Sequence, residues 1–406
     1  MEKKKPLNSF QYIWAYSLCI YSLIVGNVSW GWNIPMTPLM LYILFLSLLK
    51  LASSSSWVPK KTAVLILLFV LHLLLDIFIW NDGQFGRMVA SFTFLILIIT
   101  ILLATKEEKM LLLASMTNCF VMMLLISLPA WILYLMGVPL PHSQEIQPNS
   151  YHVEVNYGFF LLSVKTISIF PRFQCFFLEP GQFATPCAFL YFLHGANFNR
   201  KNILFLIAIL LSFSLIAYGL IITAFIANRM FRVQSNRFLK TILSIFIIAG
   251  LSFYFSNSEN NDDPITTLIV HRLQYDEEKG ITGNNRTGSY FDSQYEKLIK
   301  SPNCYWGIRR QLNEGEDWTI GSSGYKKVIV RSGLIGLGLV LFIIFLLFYF
   351  NRNLATLSFF VILTTAFLVR DLMMSPLWLS IAIVGFYLLN ETDAYQYSRQ
   401  QTSKSV

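Results

Sequence analysis

Apolar residues arrive along this chain in long blocks, punctuated by short polar stretches that carry much of the Lys and Arg. Blocks of that length suit helices crossing a hydrocarbon layer about 30 Å thick. Residues 10–28 and 37–51 read as the first two spans, with Trp30, Trp32 and Trp57 placed for the aromatic belts of a membrane surface. A third span covers 62–80, a fourth 87–104 and a fifth 110–136. Lys3, Lys4, Lys5, Lys50, Lys60 and Lys61 assign the amino terminus and the second connection to the cytoplasm, and 106–109 form a further cytoplasmic turn. His72 and Asp76, four apart on one helical face, read as a polar contact inside the bundle, with a site element as the alternative.

After Gly137 the pattern changes, because Pro139, Pro141 and Pro148 break the chain and 137–181 form a first extracytoplasmic loop. Within it, 151–157 alternate as a strand does. Residues 157–170 are too short and too interrupted by Lys165 to cross, and are expected on the membrane face; His142 and His152 read as exposed. A short sixth span, 182–193, follows. The apolar run 202–228 is long enough for one helix of about 40 Å, but Arg229, Arg232, Arg237 and Lys240 after it belong in the cytoplasm. The run is therefore expected to enter and return as a re-entrant pair broken within 212–219, where Ser212, Ser214 and Tyr218 can satisfy freed backbone groups. A single tilted span is the alternative.

Residues 238–255 read as a further span, and 256–325 as a large, mostly helical cap with a helix from Ser289 or Asp292 to a stop at Pro302. A long span follows at 328–350, where Gly333, Gly336 and Gly338 allow close helix contact. Spans at 354–369 and 376–389 bracket Arg370 and Asp371 on the outside, and the tail returns to the cytoplasm. The expectation is an all-α polytopic membrane protein of about twelve membrane segments, both termini inside. Its sections are 1–136, 137–181, 182–255, 256–325 and 326–406.

Composition strengthens this reading: 55% of the 406 residues are hydrophobic and only 13% are charged. The basic start lacks a small-residue cleavage site after its first apolar run, so it reads as a retained helix. The formal charge of +9 belongs largely to loops that set orientation, which argues against nucleic acid as a partner. The five Cys show no pairing pattern or metal spacing, and no nucleotide-type glycine loop or catalytic-serine elbow is present.

One stretch combines charge with a membrane boundary: Arg172-Phe-Gln-Cys-Phe-Phe-Leu-Glu-Pro-Gly-Gln-Phe-Ala184. A Glu-Pro-Gly turn opening an apolar helix points free N–H groups outward, a setting for anions, with Arg172 seven residues before Glu179. The same cues fit an ordinary helix start, with Glu179 satisfying those N–H groups and Arg172 at the lipid interface. Further outer cations fall at Arg272, Arg286, Arg309 and Arg310, and guanidinium forks match phosphate oxygens. A substrate with phosphate at the membrane surface and an apolar part in lipid satisfies these conditions.

The order of four motifs carries a resemblance. Arg172 to Ala184, then Leu-Ser-Phe-Ser-Leu-Ile-Ala-Tyr218, then Asn-Arg286-Thr with Phe-Asp292, then Ser-Gly-Tyr325 before Gly-Leu-Ile-Gly336, is similar to the repeat-unit polymerases of O-antigen and capsule synthesis. The resemblance covers roughly 172–350. It implies a GT-C-like, inverting, metal-independent glycosyltransferase without cofactor in the bacterial cytoplasmic (inner) membrane, its active site facing the exterior. Its partners would be undecaprenyl-diphosphate-linked oligosaccharide, membrane lipid and a chain-length regulator protein. The leaving diphosphate needs charge neutralisation, which Arg172 and Arg286 would supply, while Glu179 would receive or orient the attacking hydroxyl. Asp292, Tyr290, Tyr325, Arg272, His271 and Tyr218 would bind substrate. The related ligases tend to carry a His-Asn pair where this chain has Gly321-Ser-Ser-Gly-Tyr325, and that departs from a ligase; a ligase-type transferase and a lipid-linked oligosaccharide flippase or transporter are the alternatives to a polymerase.

Overall fold

The computed structural model describes residues 7–26, 28–31, 34–53, 58–80, 85–143, 145–149, 152–164, 171–196, 199–232, 275–276, 280–281, 289–308, 324–370, 372 and 374–404. Two compact units emerge, one from 1–123, 298–314 and 324–406, the other from 124–297 and 315–323.

The first unit is helical. Helix α1 (Ser9–Val25) starts on a reciprocal cap, in which Asn8 accepts from the Gln11 amide and the Gln11 side chain accepts from the Asn8 amide. Helices α2 (Met36–Ala52), α3 (Lys60–Leu75), α4 (Phe85–Leu103) and the first part of α5 (Lys106–Leu135) follow. Helix α3 runs into a π-helical turn, Asp76–Trp80. The structure starts α5 earlier than the apolar pattern does, because Thr105 and Glu108 cap each other's amides. Asp76 accepts from Ser91 Oγ at 2.5 Å and His72 lies edge-on to Trp80 at 5.6 Å, so this polar pair makes contacts within the bundle.

The ends expected in the cytoplasm converge. Lys50 Nζ lies 2.6 Å from Glu108 Oε1, and Gln11 Nε2 donates to the same oxygen at 2.7 Å. Lys109 donates to the Leu102 and Ala104 carbonyls and sits 4.0 Å above the Tyr387 ring. The start of α1, the end of α2 and the start of α5 therefore share one end of this unit.

Three long pieces follow later in the chain. They are α10 (Gly324–Phe350), α11 (Leu354–Val369) and α12 (Pro376–Lys404), counted after the four helices given below. Helix α10 is broken at Gly333, whose φ of +67° and ψ of −174° interrupt the helix. A short 3₁₀ turn, Pro302–Cys304, leads into 305–308, which pack on that break. Ile308 N donates to Val330 O and Ile335 N to Tyr305 O. Gly333 thus serves loop packing rather than the helix contact expected of it, and around Gly338 a Cβ would meet nothing within 4 Å.

The second unit departs from the all-α expectation. Strands β1 (Ile146–Asn149), β2 (His152–Asn156) and β3 (Leu161–Ser163) form an antiparallel sheet in the order β1-β2-β3, with Glu154 opposite Ser163. The alternation at 151–157 fixed β2, whereas β3 is too short to announce itself and is created by its pairing. Helices α6 (Pro180–Leu193), α7 (Arg200–Ser212) and α8 (Leu215–Arg232) pack together, α6 touching both others. A two-strand ladder of β4 (Tyr275–Asp276) and β5 (Gly280–Ile281), then α9 (Ser289–Ile299), complete the described part. The expected span at 238–255 lies outside the described residues.

Among the described residues, four helical stretches are long and apolar enough to cross a membrane: Lys60–Trp80, Phe85–Leu103, Lys106–Leu135 and Gly324–Phe350. Shorter apolar helices accompany them at Ser9–Val25, Met36–Ala52, Leu215–Ala224, Leu354–Val369 and Pro376–Asn390. The chain is a membrane-embedded helical protein.

Candidate functional site

The apolar run from 202 breaks where the sequence reading placed it. Phe213 adopts the left-handed conformation, φ 47° and ψ 39°, between α7 and α8. A non-glycine residue there costs roughly 1–2 kcal/mol, so the neighbourhood must hold it. A helix end also leaves its last four carbonyls without helical partners, a large penalty in an apolar setting.

Each of those carbonyls is satisfied. Ser212 Oγ donates to Ile209 O at 2.6 Å, and Tyr218 OH donates to Leu210 O at 2.5 Å. The Phe173 amide donates to Leu211 O at 3.0 Å. Arg172 Nε donates to Ser212 O at 3.1 Å, and its Nη2 donates to Phe213 O at 2.8 Å. The guanidinium also places positive charge at the negative end of the α7 dipole. Arg172 and Tyr218, both expected to meet substrate, thus have partners in the fold itself.

The segment after Arg172 is fastened to the sheet. Gln174 Nε2 donates to Glu154 Oε2 at 2.7 Å, with both side chains buried. Cys175 has a positive φ of 54°, its carbonyl accepts from Leu161 N at 2.7 Å, and its thiol lies 3.2 Å from Ser127 Oγ. Burial pushes that thiol up to about 12. Phe173 packs edge-on against Trp131 and Phe183, at 5.7 and 5.6 Å between ring centres.

Glu179 follows as the N-cap of α6, in extended conformation, with Pro180 in the first helical position. Its side chain makes no capping hydrogen bond, so it does not satisfy the helix start as an ordinary N-cap would. The side chain is half-buried. Segment 172–179 therefore links the sheet, the α7–α8 break and the start of α6.

Of the remaining expected residues, Tyr290, Asp292 and Tyr325 fall on described helices. Asp292 is half-buried in the first turn of α9, and Tyr290 stands in the same helix. Tyr325, half-buried, opens α10 in the first unit. Arg272, His271 and Arg286 lie outside the described residues. Among the described residues, no group of three or more His, Cys, Asp or Glu is close enough to hold a metal ion.

Sequence reasoning missed Glu154. It sits wholly buried on β2, and the visible signal was a carboxylate inside an alternating strand, next to a motif containing an unexplained Gln174.

No family model, curated protein or solved structure matches this chain.

Proposed function

We propose that this protein is a polysaccharide polymerase that joins undecaprenyl-diphosphate-linked oligosaccharide repeat units at the outer face of the bacterial cytoplasmic membrane. In this reading the twelve-segment, GT-C-like layout presents a phosphate-bearing lipid substrate to outward-facing cations. The observation that carries it is the meeting of two motifs of the resemblance. Arg172 is bonded to Ser212 and Phe213, forty and forty-one residues away, in the segment that leads to the helix capped by Glu179. A motif pair that only marked two unrelated membrane spans would have no reason to meet.

In the proposed reaction the growing chain leaves its diphosphate carrier and is joined to a sugar hydroxyl on a second lipid-linked unit. A guanidinium near the diphosphate offsets the charge that develops on the leaving group, a role assigned to Arg286 and Arg172. Glu179 accepts or orients the hydroxyl proton. Asp292, Tyr290, Tyr325, Arg272, His271 and Tyr218 bind the sugars and phosphates. A chain-length regulator is the proposed protein partner.

The test is a gel of surface polysaccharide from the source organism after deletion of this gene. Wild type should restore a ladder that deletion collapses to single repeat units. Glu179→Gln and Arg286→Ala should not restore it at equal protein abundance. Polymer accumulating on its lipid carrier would indicate a ligase, and an unchanged ladder in a strain without a redundant enzyme would reject the reading in favour of a transporter.

A further inference from the structure

Two backbone hydrogen bonds splice the 305–308 stretch into α10. In a continuous helix the Val330 carbonyl would accept from the amide of Leu334, and the Ile335 amide would donate to the carbonyl of Arg331. At Gly333 a ψ of −174° turns the next peptide out of the helical direction. Val330 O accepts from Ile308 N at 2.8 Å, and Ile335 N donates to Tyr305 O at 3.2 Å. The docked stretch thus supplies partners on both sides of the break.

The glycines at this splice fit the break and not a continuous helix. Gly333 combines φ +67° with ψ −174°, a region essentially confined to glycine. A Cβ on Gly307 would come within 2.7 Å of the Arg331 carbonyl and the Gly333 amide nitrogen. A Cβ on Gly336 would overlap the Ser332 side chain. Residues four apart on a continuous helix hold their Cβ atoms about 5–6 Å apart, so that overlap arises because the helix breaks between them. Alanine at 333 or 336 is therefore excluded from the broken form and favoured over glycine in a continuous one.

We infer that α10 is a two-state element, broken at Gly333 while 305–308 is docked and continuous through 333 when that stretch withdraws. Val330 O and Ile335 N have partners in both forms: the docked backbone in one, Leu334 and Arg331 in the other. The exchange therefore strands neither group without a hydrogen bond. Gly333, Gly336 and Gly338 all weaken a continuous helix, which keeps the broken form the major one. A ligand that binds 305–308 only when docked, or only when withdrawn, shifts the equilibrium of a helix long enough to cross the membrane. None of this depends on the sugar chemistry.

Pulsed dipolar distance measurement on the full chain in liposomes tests it. Four of the five native cysteines are buried, so spin labels go into a Cys119→Ser background at Trp306→Cys and Phe345→Cys, both exposed positions. Gly333→Ala and Gly336→Ala should each move the docked distance to a second distance that the two variants share. Leu334→Pro lacks the amide that a continuous helix needs, yet suits the first position of the helical piece after the break. It should fold and keep the docked distance alone. Combining Leu334→Pro with either alanine should abolish folded protein, because the pair leaves neither form available. Alanine variants that fold with the docked distance unchanged, or that broaden it without a shared second distance, would overturn the inference. So would failure of both alanine variants or of Leu334→Pro to fold, since each single change leaves one form intact. A double variant that folds as well as its parents would overturn it too.

Discussion

The Arg172 guanidinium closes the carboxyl end of α7 by donating from Nε to the Ser212 carbonyl across 3.1 Å. Its Nη2 reaches the next carbonyl, at Phe213, across 2.8 Å. One side chain thus stabilises a left-handed break that would otherwise leave two polar groups without these donors. Arg172→Ala should cost about 2–4 kcal/mol, near two charge-assisted hydrogen bonds discounted for partial exposure. Arg172→Lys should recover less than half, since an ammonium cannot reproduce the planar fork. Thermal unfolding in detergent measures both, and an unchanged midpoint for Arg172→Ala would remove the structural role. Any activity lost in these variants therefore needs correction for folded fraction.

A buried ion pair lies where α2 ends and α5 begins. Lys50 and Glu108 are 9% and 1% exposed, too buried for water to compensate either alone. Glu108→Gln should destabilise by roughly 3–5 kcal/mol, because it leaves the Lys50 charge without its counter-ion. Adding Lys50→Met should restore a good part of that loss, though Gln11 and the Thr105 amide also rely on Glu108. A double-mutant cycle in chemical or thermal unfolding reads the coupling. Additive losses would show that the pair is not energetically linked.

The glycines near the start of α10 should respond very differently to one methyl group. Gly333 has φ +67°, and a Cβ there would collide with the Tyr305 backbone. Gly333→Ala should cost well over 1 kcal/mol, whereas Gly338→Ala, in open helical space, should be neutral or stabilise by up to about 1 kcal/mol. Folded yield and unfolding midpoint of the two variants provide the comparison. Equal effects would show that the break at Gly333 is not fixed by its packing.

Much of this arrangement could be read from the chain because membrane helices are written in local composition. The boundaries of α2 and α11, the break within 212–219 and the stop at Pro302 depend on nearby apolar runs, turn-forming residues and proline. What escaped depends on partners distant in sequence. Strand β3 has three residues and exists through its pairing with β2. Gly333 looked like a helix-contact residue until 305–308 came to lie against it. Arg172 was legible as a special cation, but its acceptors at 212 and 213 were hidden, since carbonyls leave no trace in residue identity. Glu154 was similarly hidden, its partner Gln174 being twenty residues away.

Cys175 provides a pH prediction with a definite sign. Complete burial pushes its thiol from the ordinary 9.0 up to about 12, against smaller opposing contributions from the Ser127 hydroxyl and the Phe176 amide. Folding therefore favours the neutral thiol. Its contribution is fully present below the ordinary value near 9 and is lost as pH rises toward about 12. Across pH 6–8 the group should be silent. Above pH 9 the stability margin of wild type over Cys175→Ala should shrink by about 1.4 kcal/mol per pH unit. The same burial predicts that iodoacetamide at pH 8 leaves Cys175 unmodified in folded protein and alkylates it after unfolding, as read by peptide mass spectrometry. Rapid alkylation of the folded chain would mean that the segment between Arg172 and Glu179 opens to solvent, in conflict with the network of Ser127, Leu161 and Gln174 that holds it closed.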